Sequence, residues 1–169
     1  NEPNAITDAY IAPSDYRDML RCAYAILKNS TKGLIISGGL APHANFATYL
    51  NQTFGDSDIN AYYDFFGLHL YNETLPANLA YIEEAKTVTN KELWITEMGR
   101  PSKTGNYSEE DQASYLANNI GEISPRVEKI FVYELYDHAG PSEDKECYFG
   151  LLTTGYAKKP AYFKLKEPN

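Results

Sequence analysis

Apolar residues recur at helical spacing in the first part of the chain, directly after Pro13 and Ser14. Residues three or four positions apart share one face of an α-helix, so the pattern predicts an amphipathic helix here. The apolar face of this helix is predicted to contain Tyr16, Met19, Leu20, Ala23, Ile26 and Leu27. Similar spacing predicts helices over 78–89, 108–121 and 159–166, and a loop-and-helix region around residues 46–50. Ser108 is suited to cap the helix that follows it.

Short, mostly apolar runs lie between these helices and predict strands at 34–37, 65–71, 92–97 and 129–135. Because strands alternate with helices, we expect an α/β fold with parallel strands. Equivalent positions in successive strands are roughly 30 residues apart, which is about the length of one unit of a (β/α)8 barrel. The chain therefore resembles about half of a TIM barrel, with four complete strands and the end of a fifth at residue 1.

A small open sheet of the doubly wound type is the alternative to a barrel. Gly38-Gly39 follows a predicted strand, but neither a G-x-G-x-x-G pattern nor a P-loop lysine comes after it. The phosphate-binding fingerprint of that class is therefore missing, and the glycines are better explained as a tight exit from the strand. A length of 169 residues suits one domain, so we expect residues 1–169 to form a single domain.

Composition excludes several classes of partner. The net charge is −8 and the pI about 4.9, so the surface repels nucleic acids and heavily sulfated glycans. No apolar run is long enough to cross a bilayer, and we expect no membrane partner. No residue group has the spacing of a metal site, and the sequence predicts neither a metal nor a cofactor.

Cysteine and asparagine positions bear on the cellular compartment. Cys22 and Cys147 are the two cysteines, and the sequence leaves open whether they form a disulfide. Four N-x-S/T sequons predict a secreted, extracellular protein, although chance occurrence is the alternative. The sequons begin at Asn29, Asn51, Asn72 and Asn106.

Polar side chains end three of the predicted strands, and catalytic groups of a barrel sit at the carboxyl ends of its strands. One strand ends at Glu97, one with His69 and Tyr71, and one with Glu134, Tyr136 and Asp137. Strand alternation places Leu93 and Ile95 on the same face as Glu97. If that face points into the barrel, Glu97 and Tyr71 converge at its mouth, while Trp94 and Thr96 face the helices.

A second acidic residue lies at the start of the chain, in Asn1-Glu2-Pro3-Asn4. Glycoside hydrolysis needs one carboxylic acid to protonate the leaving oxygen and one carboxylate to attack the anomeric carbon or activate water. Two carboxyl groups about 5 Å apart give retention of configuration. We interpret Glu2 and Glu97 as such a pair.

The motifs of the chain resemble those of clan A glycoside hydrolases, the (β/α)8 enzymes that include cellulases, mannanases, β-xylosidases and β-glucuronidases. The matching segments are Asn1-Glu2-Pro3, His69-Leu70-Tyr71, Trp94-Ile95-Thr96-Glu97-Met98-Gly99, the stretch 131–152 and Lys159-Pro160-Ala161-Tyr162. They occur in the order and spacing of the end of strand four, strands six, seven and eight, and the last helix. Family 39 and neighbouring cellulase-like families show the nearest general likeness.

The resemblance implies a role for each matching residue. Glu97 corresponds to the nucleophile of a retaining β-glycosidase and Glu2 to its acid/base. Asn1 corresponds to a residue that binds the sugar 2-hydroxyl, and Tyr71 to one that hydrogen-bonds the nucleophile. Tyr136 is expected to bind substrate. His69 is either a site-lining residue or a satisfied core histidine, and Glu134 either lines a sugar subsite or pairs with Lys129 or Arg100.

Two other functions remain open from the sequence. One alternative follows from the absence of strands one to three and most of strand four: an inactive half-barrel that needs its N-terminal half or a second copy to close the sheet. A non-catalytic carbohydrate-binding module built on the same fold is the other alternative. Near the end of strand eight, Tyr133, Glu134 and Tyr136 lie where a Trp is common in the clan, so the sugar subsites are expected to differ.

Overall fold

The computed structural model describes residues 1–6, 10–103 and 107–166 and has an α/β fold. Its helices are α1 (Pro13–Ser30), α2 (Phe46–Phe54), α3 (Leu75–Lys86), α4 (Glu109–Ile123) and α5 (Pro160–Lys166). Its strands are β1 (Phe66–Leu70), β2 (Leu93–Met98) and β3 (Lys129–Val132), in the parallel order β1-β2-β3. The predicted sequon at Asn106 lies outside the described residues.

The chain divides into two compact units, which are described separately. Unit 1 comprises residues 1–96 and 127–129, and unit 2 comprises residues 97–126 and 130–169. The predicted single domain over 1–169 stays a prediction.

In the described part of the chain, no helix combines the length and apolar character needed to cross a bilayer. Cys22 is exposed, Cys147 is buried, and both are free thiols.

The core of unit 1 is built from aromatic rings and strand residues. Phe54, Tyr63 and Phe66 form a triangle of edge-on rings with centroids 4.9 to 6.0 Å apart, and all three are fully buried. Edge-to-face packing of this kind is favourable because the positive edge of one ring meets the negative face of the next. Leu68 and Leu70 of β1 are equally buried beside them.

Helix α1 packs on a narrower face than the sequence predicts. Tyr16 and Leu20 are buried, whereas Met19, Ile26 and Leu27 are exposed. Arg17 and Arg21 lie 2.9 Å and 2.8 Å from the carboxylate oxygens of Asp58, in the 3₁₀ turn that contacts this helix. These ion pairs tie the arginine side of the helix to that turn, while part of the predicted apolar face stays exposed.

The segment predicted as the first strand forms isolated bridges instead. Ile36 pairs with Phe65 and Leu40 with Leu68, both in parallel. Between them, the backbone N–H of Gly67 donates to the side-chain oxygen of Ser37 at 2.9 Å. Because a side chain takes up this donor, the regular ladder of backbone hydrogen bonds is interrupted.

The faces of β1 and β2 differ from the predicted assignment. A Cβ atom at Gly39 would collide with His69 Nε2 and lie 2.7 Å from Thr96 Oγ1, so His69 and Thr96 lie on one face of the sheet. The rings of Phe65 and Trp94 meet on that face as well, with centroids 4.7 Å apart. Ile95 is fully buried. The prediction that Thr96 and Trp94 point away from the His69 face is therefore wrong, because hydrophobicity alone does not tell which of two half-apolar faces packs against the rest of the fold.

Unit 2 is organised by α4. Ser108 caps this helix as predicted, since its side chain accepts from the N–H of Asp111 while the Asp111 carboxylate accepts from the N–H of Ser108. The buried Gln112 amide donates to the carbonyls of Arg100 at 2.9 Å and Phe149 at 3.1 Å. These bonds fix the segment after β2 to the segment that precedes α5.

Candidate active site

The predicted site residues fall into two groups, one in each unit. Asn1, Glu2, His69 and Tyr71 belong to unit 1. Glu97, Glu134 and Tyr136 belong to unit 2. His69 and Tyr71 lie in β1 and directly after it, Glu97 lies in β2, and Glu134 and Tyr136 follow β3, whereas Asn1 and Glu2 lie in an irregular segment.

The backbone around Glu2 is held by Asn4. The buried side chain of Asn4 donates to the carbonyl of Ala41 at 2.8 Å and accepts from the N–H of Ala41 at 3.0 Å. A tight turn places the N–H of Ala5 2.8 Å from the carbonyl of Glu2. Glu2 itself adopts a φ of 43°, which non-glycine residues rarely adopt. The short segment is therefore fixed despite its polar character, and the Glu2 carboxyl points in a defined direction.

Glu2 forms a close pair with His69. Its Oε1 atom lies 2.8 Å from His69 Nδ1, and its Oε2 atom lies 3.9 Å from His43 Nε2. His69 is buried in β1, and its backbone N–H donates to the carbonyl of Leu40 at 2.9 Å. Glu2 is about a quarter exposed, so one side of the carboxyl group is open to water. His69 is therefore a buried residue that pairs with an acid. The prediction that it lines the sugar site stays a prediction.

The His69 hydrogen bond lowers the pKa of Glu2 below its ordinary value, outweighing the opposite effect of partial burial. The charges of His69, of His43 and of the chain's amino group lower the pKa further. Glu2 is therefore ionised at neutral pH. A general acid benefits from a raised pKa, so this environment favours the carboxylate over the protonated form that a leaving group needs.

Tyr71 and Asn1 complete the group in unit 1. The rings of His69 and Tyr71 meet edge to face, with centroids 6.3 Å apart. Asn1 is exposed. The predicted hydrogen bond from Tyr71 to the nucleophile and the predicted contact of Asn1 with a sugar hydroxyl both stay predictions.

Glu97 lies near the end of β2, where unit 2 begins. The N–H of Tyr133 donates to the carbonyl of Met98 at 2.9 Å. Gly99 follows, and any side chain there would collide with the carbonyl of Tyr133. Burial is the largest cause that raises the pKa of the Tyr133 hydroxyl, and the charges of Glu134, Glu146 and Glu97 raise it further. The negative charge of Glu97 therefore disfavours ionisation of the Tyr133 hydroxyl.

Glu134 and Tyr136 follow β3. The carboxylate of Glu134 is bound to the imidazole Nε2 of His138, a partner that sequence analysis did not consider. Lys129 and Arg100 were the predicted alternatives. The Arg100 guanidinium lies instead 4.4 Å and 4.0 Å from the ring centres of Tyr107 and Tyr115. Tyr136 is exposed and meets the ring of Tyr156.

A buried ion pair in unit 2 was missed by sequence analysis. Lys159 Nζ donates to Asp137 Oδ1 at 2.7 Å and to Ser102 Oγ at 2.9 Å, and the Lys159 side chain is fully buried. The same Asp137 oxygen accepts from the N–H of Gly150 at 2.9 Å. In the sequence Lys159 stands in a K-P-A-Y motif, and the pattern of charges along a sequence does not reveal that a lysine is buried. The predictions that the protein uses no metal and no cofactor stay predictions.

The fold resembles those of solved glycoside hydrolases. A family 39 glycoside hydrolase from Bacteroides cellulosilyticus WH2 matches 96% of this chain and 38% of its own, with a TM-score of 0.75 and 21% identity. A monomeric β-xylosidase from Caulobacter crescentus CB15 matches 97% of this chain and 39% of its own, with a TM-score of 0.71 and 14% identity. At these identities the likeness shows the fold alone, and the chain spans about two-fifths of the length of both proteins.

A GH128 curdlan-specific exo-β-1,3-glucanase from Blastomyces gilchristii also matches. It covers 99% of this chain and 68% of its own, with a TM-score of 0.73 and 16% identity. No curated protein gives a significant match. Residues 1–150 match the family model described as "Glycosyl hydrolase catalytic core". Because this match spans most of the 169 residues, the chain belongs to the glycosyl hydrolase catalytic core family.

Proposed function

We propose that the protein is a retaining glycoside hydrolase that cleaves β-glycosidic bonds of neutral oligo- or polysaccharides. The observation that carries the proposal is the family match over residues 1–150, which includes both Glu2 and Glu97. Glu97 lies near the carboxyl end of a strand in a parallel sheet, the position that carries catalytic groups in barrel enzymes, and Glu2 lies in an irregular segment at the start of the chain.

Each carboxyl group has a distinct role in this reaction. Glu97 attacks the anomeric carbon and forms a covalent glycosyl ester, while Glu2 gives its proton to the departing glycosidic oxygen. Glu2 then takes a proton from water, and the resulting nucleophile displaces Glu97 from the anomeric carbon. The sugar is released with its original configuration. Asn1, His69, Tyr71, Glu134 and Tyr136 are proposed to bind the substrate around these two groups.

A neutral, β-linked glycan is the substrate class that the chemistry favours. The net charge of −8 disfavours anionic polymers. Two of the similar structures are described as a β-xylosidase and a curdlan-specific exo-β-1,3-glucanase, and both names denote enzymes of neutral β-linked sugars. We take β-glucans and β-xylans as the substrates to test first.

We also propose that the chain is the C-terminal half of a (β/α)8 barrel, running from the end of strand four through strand eight and the last helix. The coverage of 38% and 39% of two similar structures supports this reading. The partner is then the N-terminal half-barrel, or a second copy of this chain. Size-exclusion chromatography tests the proposal, because a clean monomer that gains no activity on mixing with the N-terminal half contradicts it.

The exposed sequon residue Asn29 supports the further proposal that the protein is secreted.

Carbohydrate binding without hydrolysis is the second candidate function, and one observation favours it. The lowered pKa of Glu2 keeps this residue ionised, whereas protonation of a leaving group needs the acid form. Glycan binding by the full-length protein with no release of reducing sugar would select this function.

The decisive experiment replaces Glu97 by Gln in the full-length protein. We expect kcat on β-glucan or β-xylan oligosaccharides to fall by about 10⁴-fold or more, because the covalent intermediate no longer forms. Glu92→Gln is the matched control, since Glu92 is exposed directly before the same strand. The ¹H NMR signal of the first anomer released by the unmodified protein reports the stereochemistry. Full activity in Glu97→Gln, or release of the inverted anomer, rejects the proposed mechanism.

A further inference from the structure

Two tyrosine rings lie exposed beside each other in unit 2, on the segment between β3 and α5. The ring centres of Tyr136 and Tyr156 are 5.9 Å apart, and the ring planes are inclined by 57°. Tyr136 is 49% exposed and Tyr156 is 71% exposed. A paired aromatic surface of this kind differs from single exposed apolar residues, which are common and need no explanation.

The backbone that carries both rings is fixed. Tyr136 and Leu152 form a parallel bridge, and Leu152 forms an antiparallel bridge with Lys158. The N–H of Asp137 donates to the carbonyl of Leu152 at 2.8 Å. The segment that bears Tyr156 is therefore tied directly to the segment that bears Tyr136, and a ligand that contacts both rings meets a pre-organised surface.

Tyr156 occupies a strained backbone conformation. Its φ is 64°, in the left-handed region that glycine tolerates and that other residues enter at a cost. Hydrogen bonds from the N–H of Tyr156 and of Ala157 to Thr153 hold this turn. A bulky residue kept in such a conformation, with most of its ring in water, suggests that the exposed ring has a function.

Neighbouring groups do not account for the two rings. The nearest lysine in sequence, Lys158, lies instead over the rings of Tyr162 at 4.7 Å and Phe163 at 6.0 Å. Within the described part of the chain, no hydrogen bond engages the hydroxyl of Tyr136 or Tyr156. Both hydroxyls are therefore available to donate to or accept from a ligand.

We propose that Tyr136 and Tyr156 form an aromatic platform for a neutral sugar residue in a bound glycan, other than the residue whose bond is cleaved. The ring of Tyr156 stacks on the apolar face of that sugar, and the inclined ring of Tyr136 contacts its edge. β-Linked glucose and xylose present flat C–H faces with hydroxyl groups at the rim. Tyrosine matches both features, because its ring is apolar and its tip is polar. The inference rests on the proposed function for its ligand class, and it adds Tyr156, which the motifs of the family did not indicate.

The test measures binding in the full-length protein that carries Glu97→Gln, so that hydrolysis does not interfere. Dissociation constants are measured by calorimetry for laminarihexaose, cellohexaose and xylohexaose. We expect Tyr156→Ala to weaken binding of the best of these ligands by about three- to tenfold, the size of one aromatic contact. Tyr156→Phe retains most of the affinity because it keeps the ring. Phe163→Ala, which removes another exposed aromatic of the same unit, leaves the affinity unchanged.

Tyr156→Gly guards against a folding artefact, since glycine adopts a φ of 64° without strain and still removes the ring. Equal affinity in all variants, or binding of none of the three hexasaccharides, overturns the platform. Self-association that is lost in Tyr156→Ala, without glycan binding, assigns the surface to a second copy of the chain and also overturns it. Tyr156-dependent binding by a protein that hydrolyses no glycan supports the platform and refutes the proposed catalysis. Hydrolysis with Tyr156-independent binding refutes the platform alone.

Discussion

Two acid–base pairs, Glu2–His69 in unit 1 and Asp137–Lys159 in unit 2, differ mainly in their access to water. In unit 1, Glu2 Oε1 lies 2.8 Å from His69 Nδ1, and 27% of the Glu2 side chain is exposed. In unit 2, Lys159 Nζ lies 2.7 Å from Asp137 Oδ1, and the exposed fractions are 0% and 3%. The distances are nearly equal, so distance does not distinguish the proposed reactive pair from the structural one.

The surroundings of the two acids do distinguish them. Asp137 also accepts from the N–H of Gly150, and Lys159 also donates to Ser102, so each charge is satisfied by protein groups in the interior. Glu2 has one oxygen bound to His69 and a second that is 3.9 Å from His43. An acid that exchanges protons with a substrate needs an accessible oxygen. A buried acid that fixes a loop needs protein hydrogen bonds and a charge partner for its carboxylate.

The largest effect is expected from breaking the buried pair. Lys159→Met leaves the Asp137 carboxylate buried without its cation, which costs about 3–5 kcal/mol of the free energy of unfolding. Urea denaturation measures this loss. Lys158→Met is the matched control, since Lys158 is the exposed neighbour of Lys159. Adding Asp137→Asn to Lys159→Met recovers part of the loss, because the amide oxygen still accepts from Gly150. Equal destabilisation by Lys158→Met and Lys159→Met would contradict a structural role for the buried pair.

A smaller effect, on activity instead of stability, is expected at Glu2. Glu2→Gln removes the proposed proton donor, and we expect it to lower kcat/KM by about 10²-fold or more on sugars with a poor leaving group. The loss shrinks on an aryl glycoside whose phenol departs without protonation. The free energy of unfolding changes little, because Glu2 is partly exposed. A loss of the same size on both kinds of substrate shows that Glu2 is not the general acid.

The smallest effect is a shift of the pH profile in His69→Ala. The hydrogen bond from His69 is the largest cause that lowers the pKa of Glu2, so removing the imidazole raises that pKa. Protonated Glu2 then persists to higher pH, and the basic limb of the kcat/KM profile moves to higher pH. His138→Ala serves as the control, since His138 pairs with Glu134 in unit 2. A basic limb that stays in place, or moves to lower pH, argues against control of Glu2 by His69.

The same pKa shift predicts how stability depends on pH. A carboxyl group whose pKa is lowered by folding stabilises the protein above its unfolded pKa, and this contribution disappears as the pH falls through the folded value. Unmodified protein therefore loses the Glu2 contribution only at acid pH. His69→Ala lacks that contribution at neutral pH, so its stability deficit relative to the unmodified protein narrows on acidification.

Sequence patterns predicted where helices and strands occur better than they predicted which side of each element is buried. The three regular strands of the described residues and the capping of α4 by Ser108 were found where alternation and capping chemistry placed them. Helix α3 begins at Leu75 and not at residue 78, because Thr74 caps it and Pro76 occupies its first turn. The exposed side of α1 and the shared face of His69 and Thr96 were not predicted, because both depend on which neighbours cover a given surface.

The sequence by itself determined the α/β class, the membership in a glycosyl hydrolase family and the identity of the candidate acids, because periodicity and short motifs are local properties. Only the tertiary structure brought Glu2 against His69, buried Lys159 against Asp137 and exposed Tyr136 beside Tyr156. These contacts join residues 67, 22 and 20 positions apart, and folding alone decides which distant groups meet and how much water reaches them.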